Sequence, residues 1–324
     1  MIQRIRDRIW CAVGVAGLMV LICGTAAAQT NLQYTTFWRL LGPTIQLVGR
    51  DLNGVSLNGD LLSGRQVTGV SLDGAWVNGK KRSVKLARSH FFGGGIGGGN
   101  MVGAELQADL DDGTTLMLRV DGVQRHPDPA NKDVLLYEVS YATGGGRVSL
   151  CGLDDEGYAR RAIPLEGRWD LSQGTVGGGS WIEDQDRFTF ACEDHVIGKC
   201  VLGGYEPWRK VLVCTKGKGC SMTTLADHHQ ACTRMLRADY CGDGTSHTVD
   251  DVEVNLYDGL GVRTDSEAWS FEAEWDAQGA FCASDTRLQA AKPACMQQLQ
   301  DKNCGAPQHF ADGTLLMSEY LPQP

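Results

Sequence analysis

LMLRVDGVQRHPDPANKDVLLYEVSY, residues 116–141, decides the fold class. Two apolar runs flank a Pro-Asp-Pro loop at 127–129, and the first of them follows the turn Asp112-Gly113. Runs of this length bounded by turn residues read as strands. RFTFAC at 187–192 has the alternation of a half-buried strand. From Val102 onward the text is short strands punctuated by turns. The expected class is therefore mainly β with few helices (α+β), a disulfide-stabilised antiparallel β domain.

Two helices are signalled. In the first, Thr224 is placed to cap, and Leu225, Cys232, Met235 and Leu236 fall near one face. It should end near Arg237 or Ala238, before the glycines of CGDG. The second should start at Pro293 and stop near Asn303-Gly305. A straight helix would hold Cys295 and Cys304 about 13 Å apart, too far to bond each other. Either that segment bends or each cysteine has a distant partner.

The N-terminus carries Arg4, Arg6 and Arg8, an apolar stretch from Ile9 to Cys23, and Ala26-Ala27-Ala28 before Gln29. That is the layout of a secretory signal peptide over 1–28, with an N-terminal segment following at 29–51. Cleavage removes three arginines and one aspartate, taking the formal net charge from −9 to −11. So acidic a chain repels phosphate backbones and anionic lipid, which argues against nucleic-acid partners. No later segment is apolar enough to span a membrane. Export to the periplasm, the outer surface or the medium is expected.

Cysteine usage agrees. Cys151, Cys192, Cys200, Cys214, Cys220, Cys232, Cys241, Cys282, Cys295 and Cys304 remain after cleavage, an even set whose default in an oxidising compartment is disulfides. EDHVIGK between Cys192 and Cys200, and TKGKG between Cys214 and Cys220, read as loops joining hairpin arms. Both pairs are candidates for local bonds.

Residues 52–81 repeat with a period of five, LNGVS, LNGDL, LSGRQ, VTGVS, LDGAW, VNGKK. The pattern resembles pentapeptide repeats, which implies a four-sided β-solenoid. It departs from that family where small residues belong, holding Arg50, Val55, Asp60, Arg65, Val70 and Ala75 there. A short β-rich stalk or cap is the expectation. Residues 82–101, which contain FFGGGIGGGN at 91–100, read as a glycine-rich linker. No apolar strand precedes that run and no Lys-Ser/Thr follows it, so it is not read as a phosphate loop.

FACEDHVIGKCVLGGYEPW, DHHQACTRMLRADYCGDGTSHT and FEAEWDAQGAFC together resemble the ADYC domain, a bacterial family named for the tetrapeptide Ala238-Asp239-Tyr240-Cys241. The resemblance runs from about Asp133 to Arg287 within a β-rich domain expected over 102–290, with a C-terminal helix and tail at 291–324. It implies an export context and brings no catalytic residues with it. Cys214 and Cys220 look like additions to the family's pattern, which favours their pairing with each other.

Three kinds of chemistry have candidates. His228 and Cys232, four apart on a helix, with Asp239, Asp243 and His247, are the zinc set; Asp239, Asp243, Asp250 and Asp251 are the calcium set. Asp239, Asp243, Glu272 and Glu274 offer carboxylate pairs for glycoside cleavage, and His228, His229 or His247 a base for Ser246. Carboxylates near Trp269, Trp275 and Tyr240 would suit sugar recognition. Against each stands a structural role: Arg237 with Asp239 as a buried ion pair, Tyr240 and Trp275 as core, the histidines as an exposed helix face. No GxSxG elbow and no cysteine-protease signature is present. The expectation is an exported structural or ligand-binding module for a protein or carbohydrate, with no cofactor. The alternative is an extracytoplasmic hydrolase of envelope or environmental polymers using carboxylates near Asp239 and Glu272.

Overall fold

In the computed structural model, 116–141 forms two neighbouring antiparallel strands in which Val139 faces Val120 and Tyr141 faces Leu118. The structure describes residues 47–322 apart from positions 49, 53, 60, 63, 98–100, 216–218, 290–291 and 301; the expected leader lies outside the described residues. The loop between the two strands is fixed by Asp128, whose carboxylate accepts the Ala130 N–H at 2.8 Å.

Six strands close a ring: β1 (Val67–Val77), β2 (Glu105–Leu110), β3 (Thr115–Arg125), β4 (Leu135–Thr143), β5 (Ala162–Glu166) and β6 (Arg187–Cys192). Each pairs antiparallel with the next, and β6 returns to β1 through Phe188 opposite Val70. The result is an up-and-down barrel, which leaves no open edge. Alternation fills it: Leu106, Ala108 and Leu110 from β2, Leu118 and Val120 from β3, Tyr137 from β4, Phe188 and Phe190 from β6.

Strands β4 to β6 are buried on both faces. Their other residues, Leu136, Ile163, Leu165 and Ala191, belong to a second core shared with helices α1 (Val196–Leu202) and α2 (Ala226–Leu236). Double burial is why VLLYEV reads as a nearly continuous apolar run. Beyond α2 lies a five-stranded antiparallel sheet in the order Arg50–Leu52, β7 (Glu253–Asp258), β10 (Leu316–Tyr320), β8 (Ser270–Asp276), β9 (Gly279–Ala283). The short helix α3 (Met296–Gln300) precedes β10.

The repeat and the linker are built into the domain. Residues 67–77 run as one continuous barrel strand rather than as successive sides of a solenoid coil. Asn78 (φ 51°) and Gly79 (φ 71°) then make a tight hairpin turn into Lys80–Arg82. Two consecutive left-handed residues fit the twist of a hairpin, which is the physical role of the last repeat's Asn-Gly. The expected linker forms a three-stranded sheet, Lys85–Ala87, His90–Gly93 and Ile96–Gly97. It is anchored by Phe91, whose ring packs edge-on against Phe188 and Tyr137 at 5.0 and 5.4 Å.

Among the described residues, four disulfides brace this frame with both partners described: Cys151–Cys192, Cys200–Cys232, Cys241–Cys295 and Cys282–Cys304. The local Cys192–Cys200 bond is not formed, because EDHVIGK is largely helix α1 and not a hairpin loop. Cys295 and Cys304 take separate distant partners. Cys214 and Cys220 are register neighbours on the hairpin Lys210–Thr215/Gly219–Thr224, and Cys220 is disulfide-bonded. Thr224 ends that hairpin and does not cap α2, whose N-cap is Leu225 without a side-chain bond. The C-terminal helix is also shorter than 293–303.

Candidate functional site around Asp239 and Glu272

The ADYC tetrapeptide follows directly from α2. Ala238 takes a left-handed conformation (φ 51°), and the chain turns back so that Asp239 meets Arg234 of the same helix. Both side chains are buried, and the Arg234 guanidinium also donates to the Gly178 carbonyl and to Ser180 Oγ, the latter at 2.7 Å. Asp239 Oδ1 accepts the Asp243 N–H at 3.1 Å, and Oδ2 accepts that of Gly244 at 3.0 Å. One carboxylate thus organises the whole CGDG turn.

Glycines make that turn possible. A Cβ on Gly242 would fall 1.6 Å from the Gln278 carbonyl oxygen, and one on Gly244 would fall 2.2 Å from that of Ser172. Gly178, from the facing GGGS loop, would put its Cβ 2.4 Å from the Asp243 carbonyl oxygen. Two loops therefore pack backbone against backbone over the ion pair, a closeness that side chains forbid.

Tyr240 points the other way, into the sheet. Its hydroxyl donates to Glu272 Oε1 at 2.5 Å, and Glu272 is held by Arg287 through Nε at 2.6 Å and Nη2 at 2.8 Å. Ser318 donates to Glu272 Oε2 at 2.8 Å and accepts from Trp275 Nε1 at 2.8 Å, while Arg287 Nη2 also reaches the Met235 carbonyl. Glu272 and Arg287 are both 0 % exposed at the side chain. Burial, with the Glu272 charge, holds the Tyr240 hydroxyl well above the ordinary phenol range. Burial opposes the charge on Arg287, and Glu272 outweighs it, so its pKa is raised.

The remaining candidates are dispersed. His228 lies in the first turn of α2, about 9 Å along the helix axis from Arg234, the partner of Asp239, and stacks on Tyr205 with ring centroids 6.2 Å apart. Cys232 is bonded to Cys200 and so has no thiolate for zinc. His247 donates its backbone N–H to Arg237 and tilts against Tyr240; its Nδ1 is buried without a hydrogen-bond partner. Asp243 caps Thr245, Asp250 accepts the Val55 N–H, and Asp251 is exposed, so the calcium set does not converge. Ser246 Oγ donates to the Arg237 carbonyl.

Two structural expectations are corrected, and a third, Tyr240 and Trp275 as core, agrees with the structure. Asp239 pairs with Arg234 and not with Arg237, whose Nε reaches the Val55 carbonyl. His228 and His229 are buried rather than an exposed face. Burial pushes His229 down to about 4, and its Nε2 lies 3.0 Å from the Ile197 carbonyl, which only accepts and so fixes the proton on that nitrogen. Tyr240 and Trp275 are fully packed, ring centroids 5.2 Å apart, and Trp269 lies beneath the Arg50 guanidinium.

Glu274, two residues on from Glu272, belongs to a separate cluster. It accepts from the Gly305 N–H at 2.6 Å, His309 Nδ1 at 2.7 Å and Thr314 Oγ1 at 2.6 Å. Cys282 and Cys304 lie beside it, but their bond to each other removes both as metal ligands. Arg234, Arg287, Ser318, His309 and Thr314 are the partners that sequence reasoning missed. The available signal was that acids set among apolar letters, as in SFEAEW, need buried cations or hydroxyls.

A closed antiparallel barrel joined to a second sheet through an arginine-centred polar seam is thus the class of structure. The chain belongs to the ADYC domain family, whose model matches residues 98–289. That span holds Arg234, Asp239, Tyr240, Glu272 and Arg287, and omits β1 and Ser318. No curated protein and no solved structure matches the chain.

Proposed function

We propose that this protein is an exported, disulfide-braced module that works by binding and not by catalysis. The observation that carries the reading is the commitment of both leading acids: Asp239 and Glu272 are buried, each is ion-paired to an arginine, and every carboxylate oxygen accepts hydrogen bonds from within the fold. A general acid or nucleophile must face substrate, and two carboxylates of a glycosidase must flank one bond. Here each serves as a cross-link between elements. Four disulfides favour an oxidising compartment, in keeping with the secretory layout of residues 1–28. Among the described residues no helix is long and apolar enough to cross a membrane.

The test is incubation of the purified protein with peptidoglycan, a polyuronate and a neutral glucan, following both retention and release of new reducing ends. Retention on one polymer without new ends is expected. Release of ends that disappears in Glu272→Gln, at unchanged melting temperature, would overturn the reading.

A further inference from the structure

The span from Gly74 to Ala104 contains Lys80, Lys81, Arg82, Lys85 and Arg88 and not one Asp or Glu, in a chain of formal net charge −9. All five cations are exposed, and among the described residues none makes an ion pair. They lie on the hairpin strand Lys80–Arg82 and the small sheet that packs into the barrel, outside the family's matched residues. The acids at the margin are Asp73, which accepts the Ser83 hydroxyl at 2.6 Å, Glu105, the register neighbour of Trp76 on β2, Glu206, whose charge Arg88 feels, and Asp133, close enough to act on His90.

Aromatic rings stand among these charges in a repeated arrangement. Lys81 is the cross-strand partner of Trp76, and Lys85 that of Phe92. Cross-strand partners share a face with Cβ atoms about 5 Å apart. Trp76 is 42 % exposed and Phe92 43 %, while their strand neighbours Ala75 and Phe91 are buried. The hairpin and the small sheet therefore each offer a ring beside an ammonium, with Arg88 exposed in the turn between Lys85–Ala87 and His90–Gly93, whereas Arg82, the register partner of buried Ala75, lies on the other face of the hairpin from Lys81.

We propose that this face binds an acidic polysaccharide, an inference that rests on the binding-module reading and names its partner class. A sugar acid carries both complementary parts: a pyranose face to lie on an aromatic ring and a carboxylate for the neighbouring cation. Arg88 adds a planar fork suited to carboxylates. A polyuronate bears one charge per sugar, whereas duplex DNA bears one per about 1.7 Å, a density the acidic remainder of this protein repels more strongly. Screening over about 8 Å at physiological ionic strength lets the local patch act despite the net charge.

The experiment measures binding of the full chain to polyuronate by calorimetry. Neutral dextran, duplex DNA and anionic phosphatidylglycerol vesicles are titrated in parallel, and reducing ends are assayed in the same mixtures. Polyuronate alone should bind, more weakly as salt rises; Lys81→Glu with Lys85→Glu should weaken it at least tenfold, and Trp76→Ala severalfold, at unchanged melting temperature. Lys81→Gln with Lys85→Gln serves if the charge reversal does not fold. Absent polyuronate binding, equal affinity for DNA or vesicles, or affinity indifferent to these substitutions would overturn the proposal. Dextran binding in place of polyuronate would overturn it while leaving the binding-module reading intact, and polymer cleavage would overturn that reading instead.

Discussion

Arg234 and Asp239 pair across the end of their own helix because Ala238 between them bends into the left-handed region, and both charges are then sealed from water. A non-glycine residue in that conformation costs on the order of 1–2 kcal/mol. The network offsets this by tying the GGGS loop to the Arg234 guanidinium of α2 and the CGDG turn to the Asp239 carboxylate.

The second buried pair should behave as a unit. Glu272→Gln leaves Arg287 charged in the core and should cost roughly 3–5 kcal/mol in urea denaturation. Replacing both, Glu272→Leu with Arg287→Met, should cost far less than the two single changes added together. Additive losses would show that the side chains do not interact.

Glycine positions separate close approach from simple turn geometry. Gly244→Ala should lower stability by ~3 kcal/mol or more, since its Cβ meets the Ser172 carbonyl oxygen at 2.2 Å. Gly113→Ala, also left-handed (φ 78°) but with open space around it, should cost only about 1–2 kcal/mol. Equal midpoints for the two variants would refute the packing of the loops.

His229 predicts a pH dependence of defined sign. Its folded pKa of about 4 lies below the ordinary value of 6.5, so between those limits the unfolded chain binds more protons and stability rises with pH. Its contribution is complete above about pH 6.5 and is lost as pH falls towards 4, on the order of 3 kcal/mol in total. His228, also lowered chiefly by burial, acts in the same direction. Urea midpoints measured from pH 7 to 4.5 should fall steeply, and less steeply in His229→Gln.

Cys241–Cys295 closes a loop of sequence separation 54 between the ADYC turn and the segment before α3. Chain-entropy reasoning assigns such a cross-link about 4 kcal/mol. The double Cys→Ser variant should melt correspondingly earlier, and an unchanged melting curve would contradict the assigned connectivity.

The strands were legible because alternation and turn residues mark them locally, and α2 because Leu225, Cys232, Met235 and Leu236 recur at helical spacing. Barrel closure was not, since β6 meets β1 across more than a hundred residues through two register pairs. EDHVIGK misled because Cys192 and Cys200 suggest a hairpin, whereas each bonds a cysteine 41 or 32 residues away. At the candidate site Asp239 and Glu272 stood out as acids set beside apolar residues. What made them unusual was burial against Arg234 and Arg287, and no sequence spacing announces a partner that only the fold brings near.

The melting temperature of Asp239→Asn distinguishes a structural hub from a residue held for chemistry. If Asp239 is the structural hub of the turn, Arg234 is left without its counterion and the transition should fall by roughly 10 °C. A variant that melts like the wild type would contradict the account and return Asp239 to the set of residues held for chemistry.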